Sequence, residues 1–390
     1  MERHFSRKEL TFLIGMGLVM GMRELSMTML NPFIRIYGLT LAGSTPFLCG
    51  LALGIYGLTN GIFQIPYGII SDKYGRKPII LIGLLQLILG FLLSYITSNI
   101  YLFIIARALQ GSGAIMAIAY SWLGDAVPDD KKSRAMGIAG IIVAIGAVAA
   151  FALGPILYKT ISLKNMFLGC ASILLFAGIF ILFFLKEDKK YKKSENSIVI
   201  LEHFKNRKLM NLSMCGFIFN YVMAEMFFLV PTFLEKSIGA GNMWMVFTPG
   251  VICGIIIMLF ASNRADAGHF KQVSILAFVA LLIGSASIAI KTIFFNTAGV
   301  ILLLSGFMTL TSGIPSEVNK MVNKNSRGSA NGILQTLTFL GFFVGPTLTG
   351  FLIGKISDLL LQLIPICLSI IGIILINNND KINVKAISKY

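Results

Sequence analysis

Apolar runs of about twenty residues, separated by short charged or glycine-containing turns, recur along the whole chain. Twelve can be marked, at roughly 10–36, 45–70, 78–97, 100–123, 135–157, 165–185, 209–234, 243–261, 272–290, 295–316, 329–354 and 357–376. As helices, each is long enough to cross a hydrocarbon layer about 30 Å thick. In lipid every backbone N–H and C=O must be paired within its own segment, so the pattern predicts transmembrane α-helices. Arg3, Arg7 and Lys8 followed by apolar residues imitate a signal peptide. The run is too long for one and has no small-residue cleavage site, so it is expected to be the first span.

Composition agrees. The 390 residues are 56% hydrophobic and only 13% charged, against roughly one quarter charged in soluble domains. The 39 glycines suit close approach of helices in lipid. Cys49, Cys170, Cys215, Cys253 and Cys367 lie in or at apolar runs without metal-ligand spacing and read as small packing residues. The three histidines are widely separated, and no metal site is expected.

The formal charge of +16 is sorted by loop. With the N-terminus inside, 25 of the 33 Lys and Arg fall on inner segments. Six fall outside (Arg35, Lys159, Lys164, Lys236, Lys291, Lys355), and Arg23 and Arg107 lie within spans. The positive-inside rule then predicts a multi-pass protein of the cell membrane with both termini cytoplasmic. The basic surplus serves topology and contact with anionic lipids on the cytoplasmic side, not nucleic acid.

A charged segment, 186–208, separates six spans (1–185) from six more (209–376), and a tail follows (377–390). Within it, Ile198–Phe204 reads either as a short amphipathic helix on the inner leaflet or as solvated linker. The halves are related. Ser71-Asp72-Lys73 after span two and Ser262-Asn263-Arg264 after span eight lie 191 residues apart, as do Gly154-Pro155 and Gly345-Pro346. The expected fold is all-α, with two pseudo-symmetric six-helix bundles and a site between them at mid-depth.

The turn after span two carries Gly68, Asp72, Lys73, Gly75, Arg76 and Lys77, a G-x-x-x-D-[RK]-x-G-R-[RK] pattern. Span four carries Arg107-Ala-Leu-Gln-Gly-Ser-Gly113. On these residues the chain resembles the major facilitator superfamily, most of all its twelve-span drug:proton antiporter branch. One departure is the glycine ladder of span five, of which Gly146, Gly154 and Pro155 fit, while Ala150 and Tyr158-Lys159 do not. The resemblance implies that Asp72 caps the N-terminus of the eleventh helix in the outward-facing state, gaining typically about 0.3–1 kcal/mol from the helix dipole. It also implies that Arg76 pairs with Asp125 at the inner end of span four. Together they form a conformational latch, confined to the first half because the second keeps neither residue.

Four charged residues interrupt spans. Arg23 and Glu24 lie near the middle of span one, where a charge costs about 2.5–3.5 kcal/mol. Helix neighbours point about 100° apart, so the two are not expected to face each other. Arg107, with Gln110 one turn on, needs a carboxylate or a cavity; the resemblance ties it to cation coupling, and a structural role is the alternative. Glu225 lies mid-span seven, after Asn220 and Tyr221, in the place Glu24 holds in span one. A desolvated carboxyl can exchange a proton near neutral pH, so Glu225 is placed first and Glu24 second as proton carrier. Glu317, Asn319 and Lys320 read as an inner-face cluster like that of Asp125. Gly154, Pro155, Gly345 and Pro346 read as hinge or packing positions.

The function expected is secondary transport by alternating access: proton-coupled export of small lipophilic or amphipathic compounds by a monomer, with no cofactor and a proton gradient as energy source. The alternative is proton-coupled import of a small metabolite such as a sugar or organic acid. Enzyme motifs and a nucleotide-binding P-loop are absent from the sequence.

Overall fold

The structure is a computed structural model that describes residues 5–128, 131–187, 206–322 and 327–387. The helices are α1 (Arg7–Thr28), α2 (Pro46–Tyr74), α3 (Arg76–Ile96), α4 (Ile100–Ser112), α5 (Met116–Asp125) and α6 (Lys132–Phe184). After the linker come α7 (Arg207–Ile238), α8 (Trp244–Arg264), α9 (Phe270–Ile288), α10 (Ile293–Met321), α11 (Arg327–Leu352) and α12 (Asp358–Ile387). A short helix, Ile34–Gly38, extends α1. Most of the expected linker, including Ile198–Phe204, lies outside the described residues. Helix α12 runs to Ile387, past the expected end of its span at 376.

Local chemistry sets the ends. Ser6 and Glu9 form a reciprocal capping box at the start of α1. Thr45, Asn99, Asn206 and Thr292 accept backbone N–H groups at the starts of α2, α4, α7 and α10. Gly75 has φ 110°, a conformation that only glycine adopts without strain, and it turns the chain from α2 into α3 in one residue.

Twelve spans are predicted, whereas the described residues contain ten apolar helical stretches long enough to cross a membrane. The difference lies in two doubled stretches, 134–184 and 240–288. The first breaks at Ser162 (φ 62°, ψ 156°), the second at Gly268 (φ 94°). Ile142 packs on Gly17 of α1 and Phe180 packs on Gly15, two residues away. A straight helix would separate residues 142 and 180 by about 57 Å, so α6 doubles back at Ser162. Likewise Gly250 of α8 and Gly284 of α9 meet the same turn of α10, at Val300–Leu304 and at Gly299–Leu303. The chain reverses at Ser162 and at Gly268, two positive-φ residues set among polar neighbours.

The two halves repeat their packing. Gly154 of α6 lies against the Met29 carbonyl of α1, and Gly345 of α11 against the Tyr221 carbonyl of α7. The glycines are offset by 191 residues and their partners by 192. Helix α11 is also the main bridge between halves. Gly50, Gly54 and Gly57 of α2 face the backbone oxygens of Pro346, Phe343 and Phe339, while Gly341 faces that of Phe217 on α7. Cys49, Cys170 and Cys215 are buried among these helices, Cys253 is half-buried and Cys367 is exposed.

Candidate functional site

The turn between α2 and α3 defines one end of the molecule, called the motif end below. Arg76 is its hub. Its Nη1 lies 2.5 Å from Asp72 Oδ1 and donates to Ser71 Oγ at 2.7 Å. Its Nε reaches Asp125 Oδ2 at 3.3 Å. Its backbone N–H donates to Glu187 Oε1 at 2.5 Å, and that of Lys77 donates to Glu187 Oε2 at 3.2 Å. Lys77 Nζ in turn donates to the Leu182 and Leu185 carbonyls at the end of α6. A carboxylate therefore caps the start of α3 while an ammonium caps the end of α6, each complementing the local helix dipole. Lys73 lies over the Tyr74 ring. Gly68 offers the Ser71 hydroxyl its carbonyl, and a side-chain carbon there would meet nothing. The expected Asp72 cap on the eleventh helix involves residues 323–326, outside the described set.

Glu187 has no counterpart in the sequence expectations. An acid in the first charged residues after span six, facing a turn with three cations, was the available signal. Glu187→Ala removes the cap on α3, which is expected to cost about 0.5–2 kcal/mol. A lowered thermal midpoint of the purified protein would register it.

The second half differs from expectation. Lys320 at the end of α10 donates to Asp266 in the α8–α9 join at 3.0 Å. Lys208 lies 3.6 Å from Glu317, and Asn331 donates to Asn319 at 2.7 Å. The clamp is thus not confined to the first half. Its second-half counterpart joins the same two places with acid and base exchanged. Sequence matching at fixed positions misses it because the signs are reversed.

Midway along the first half, Arg23, Tyr56 and Arg107 form a buried cluster. Arg23 Nη2 donates to Tyr56 Oη at 2.6 Å, and Nη1 to Glu24 Oε2 at 3.2 Å. The expectation that Arg23 and Glu24 do not face each other is overturned. Their Cβ atoms diverge, but the arginine side chain is long enough to bend back. Glu24 Oε1 also accepts from Thr28 Oγ1 at 2.8 Å. Arg107 makes no hydrogen bond to a carboxylate among the described residues. Nε donates to the Ala52 carbonyl at 3.2 Å, Nη1 to Gln110 Oε1 at 2.7 Å, and the guanidinium lies 5.2 Å from the Tyr56 ring centre. Gln110 passes the network on to Ser94. Tyr56, the shared platform, lies in an apolar run and leaves no signal in the sequence.

Glu225 is elsewhere. It is 2% exposed and lines a small cavity inside the second half with Ser285, Gln362 and Pro365. Neither carboxylate oxygen has a hydrogen bond of normal geometry, nor do the neighbouring hydroxyls of Tyr221 and Thr349. Glu24 and Glu225 therefore share no neighbours, although the sequence places them in equivalent positions on one central cavity. Asn220 lines a separate cavity of about 170 Å³ with Phe307, Thr311, Gln335 and Thr338.

The halves also meet at the far end. Arg35 Nη1 crosses to the Phe228 carbonyl at 2.9 Å, with its guanidinium 4.2 Å from the Phe228 ring centre. Phe151 stacks on Phe227 and Phe247, and the Lys159 chain lies on Gly241. Tyr158 stacks on Phe33 at 4.5 Å. Of the two residues that replace the expected glycine pair, Lys159 thus joins this seal, and Tyr158 braces Phe33 within the first half. Among the described residues, α5 and the first turns of α6 make no comparable contact with α10. Arg35→Gln loses a charge-assisted hydrogen bond worth about 1.5–3 kcal/mol. It should shift the population roughly tenfold or more toward a parted far end, read as longer spin-label distances across that seal.

This fold and site define an integral membrane transporter of two helical bundles, clamped by charge at one end. The chain belongs to the major facilitator superfamily, whose family model matches residues 12–346. It is 30% identical over 355 residues to the inner membrane transport protein YajR of Escherichia coli, covering 87% of this chain and 77% of that protein. It is 26% identical to the multi-drug resistance efflux pump PmrA of Streptococcus pneumoniae, covering 82% and 84%. Among solved structures, the nucleoside transporter NupG superposes with a TM-score of 0.78 at 13% identity, over 95% of this chain and 99% of that one. That likeness is one of fold.

Proposed function

We propose that this transporter exports small lipophilic or amphipathic compounds in exchange for protons, by rocking its two halves about a mid-membrane site. In this reading the chain crosses the bilayer twelve times as a monomer, both termini are cytoplasmic, and the proton gradient supplies the energy without a cofactor. The motif end faces the cytoplasm, where anionic lipids meet its basic residues. The far-end seal then makes the described state inward-facing.

The observation that carries the reading is Glu225. A lone carboxyl deep in a membrane protein is costly as an anion and far cheaper as a neutral acid. It therefore suits a group that changes protonation as access alternates. The ionic clusters around Arg76 and Lys320 each tie together helices of one half, which suits two halves that rock as units. The relationship to an efflux pump supports export. Import of a small metabolite is the second reading, favoured by the cavity whose lining includes Asn220, Thr311, Gln335 and Thr338.

The test is substrate-stimulated proton movement in inside-out vesicles, run against lipophilic ions, sugars and organic acids. Proton release from the lumen on addition of a lipophilic compound is expected. A response to sugars or acids alone would move the reading to import.

A further inference from the structure

The first half buries more positive charge than its acids answer. Arg107 is fully buried and Arg23 is 6% exposed. Among the described residues, Glu24 is the one carboxylate bonded to either of them. Their other partners are neutral: the Tyr56 hydroxyl and ring, the Ala52 carbonyl and the Gln110 amide. Around Glu24 the neighbours are Thr28 and Tyr120. The cluster therefore carries one uncompensated positive charge. Arg107 Nη2 and Arg23 Nε have no hydrogen-bond partner. Buried guanidinium donors without acceptors are costly, and a net cation inside a membrane more so.

The cluster also has a way in. Tyr56 stands edge-on to Phe342 of α11 at 6.2 Å, so it borders the seam between the halves. The Glu24 side chain, bonded to Arg23, is 26% exposed.

The geometry points to a docking site for the anionic group of an amphipathic organic anion, held by Arg23 and Arg107 beside Tyr56. Arginine suits this role because its planar fork presents paired donors to carboxylate, sulfonate or phosphate oxygens and stays charged. Phe342 and its neighbour Phe339, which packs on Gly57 and Gly61, offer the apolar remainder a surface. Glu24 is the internal competitor: its carboxylate holds the donor of Arg23 that a cargo anion would take. The inference rests on the transport reading only in treating the seam between halves as the cargo path.

Pyrenebutanoate and pyrenebutyl-trimethylammonium share an apolar body and differ in the charged head, and only the first offers carboxylate oxygens to the arginines. Binding of each to the full chain in nanodiscs is measured by equilibrium dialysis, with empty nanodiscs subtracted. The carboxylate is expected to bind at least tenfold more tightly. Arg107→Gln and Arg23→Gln should each lose tenfold or more for the carboxylate and little for the ammonium, and Arg107→Lys should restore part of the loss. Glu24→Gln should tighten carboxylate binding, a gain that a purely structural role would not produce. Preference for the ammonium, or a carboxylate affinity that moves less than threefold in both arginine variants, overturns the inference. If the arginine variants fail to fold, Glu24→Gln decides, and no gain in carboxylate affinity overturns it. Export of the ammonium without binding of the carboxylate sinks this inference and leaves the export reading standing. Carboxylate binding by a protein that exports neither ion does the reverse.

Discussion

Glu225→Gln is expected to lower pH-gradient-driven flux by about a hundredfold or more, equivalent to about 2.7 kcal/mol, with cargo binding nearly unchanged. Glutamine keeps the size of the side chain and removes the exchangeable acid proton. The site gives a substitution little else to disturb, because neither Glu225 oxygen is hydrogen-bonded. Glu24→Gln makes the comparison. It breaks an ion pair with Arg23 and a bond from Thr28, so its effect should fall on binding as well as on flux. Proton flux in vesicles that survives in both variants would exclude these two acids as carriers.

The second large effect is steric. Gly54→Leu should leave little folded or active protein, and even Gly54→Ala should lower the thermal midpoint. A side-chain carbon at residue 54 would lie 2.5 Å from the Phe343 carbonyl oxygen and 2.8 Å from Thr347 Oγ1. Backbone atoms cannot swing away, so α2 and α11 must part; overpacking of this kind costs about 1–3 kcal/mol. Gly68→Ala is the control with the opposite sign. A carbon there meets nothing, and alanine is the better helix former by roughly 0.5–1 kcal/mol. Equal destabilisation by Gly54→Ala and Gly68→Ala, measured as thermal midpoints, would refute the close-approach account.

The contrast between these glycines shows how much of the site was legible. The motif around Asp72 and Arg76 could be recognised because its residues are close in sequence and sit at a forced turn. The contact of Arg76 with Asp125 followed from the family resemblance. Glu187 was hidden because it acts across 111 residues through backbone N–H groups, which carry no sequence pattern of their own. Asp266–Lys320 was hidden because a clamp can exchange its signs and still hold. The prediction that Arg23 and Glu24 diverge failed for a different reason: helical angle fixes the Cβ direction, while a long side chain decides where its charge lands.

What the sequence alone determined is the class of molecule. Lipid forbids unpaired backbone, so apolar runs of sufficient length become helices whatever surrounds them. The superfamily, the charged turn and the doubled architecture follow from that one constraint and from local pattern. What only the tertiary structure decided is which side chains meet. Arg23 and Arg107 share Tyr56, Glu225 faces its own half rather than Glu24, and Lys159 reaches across the far end to Gly241 where a glycine ladder was expected. In an apolar run most faces are equally hydrophobic. Periodicity therefore cannot say which face turns to lipid, to a neighbouring helix or to the cargo, and only the packing of the helices assigns them.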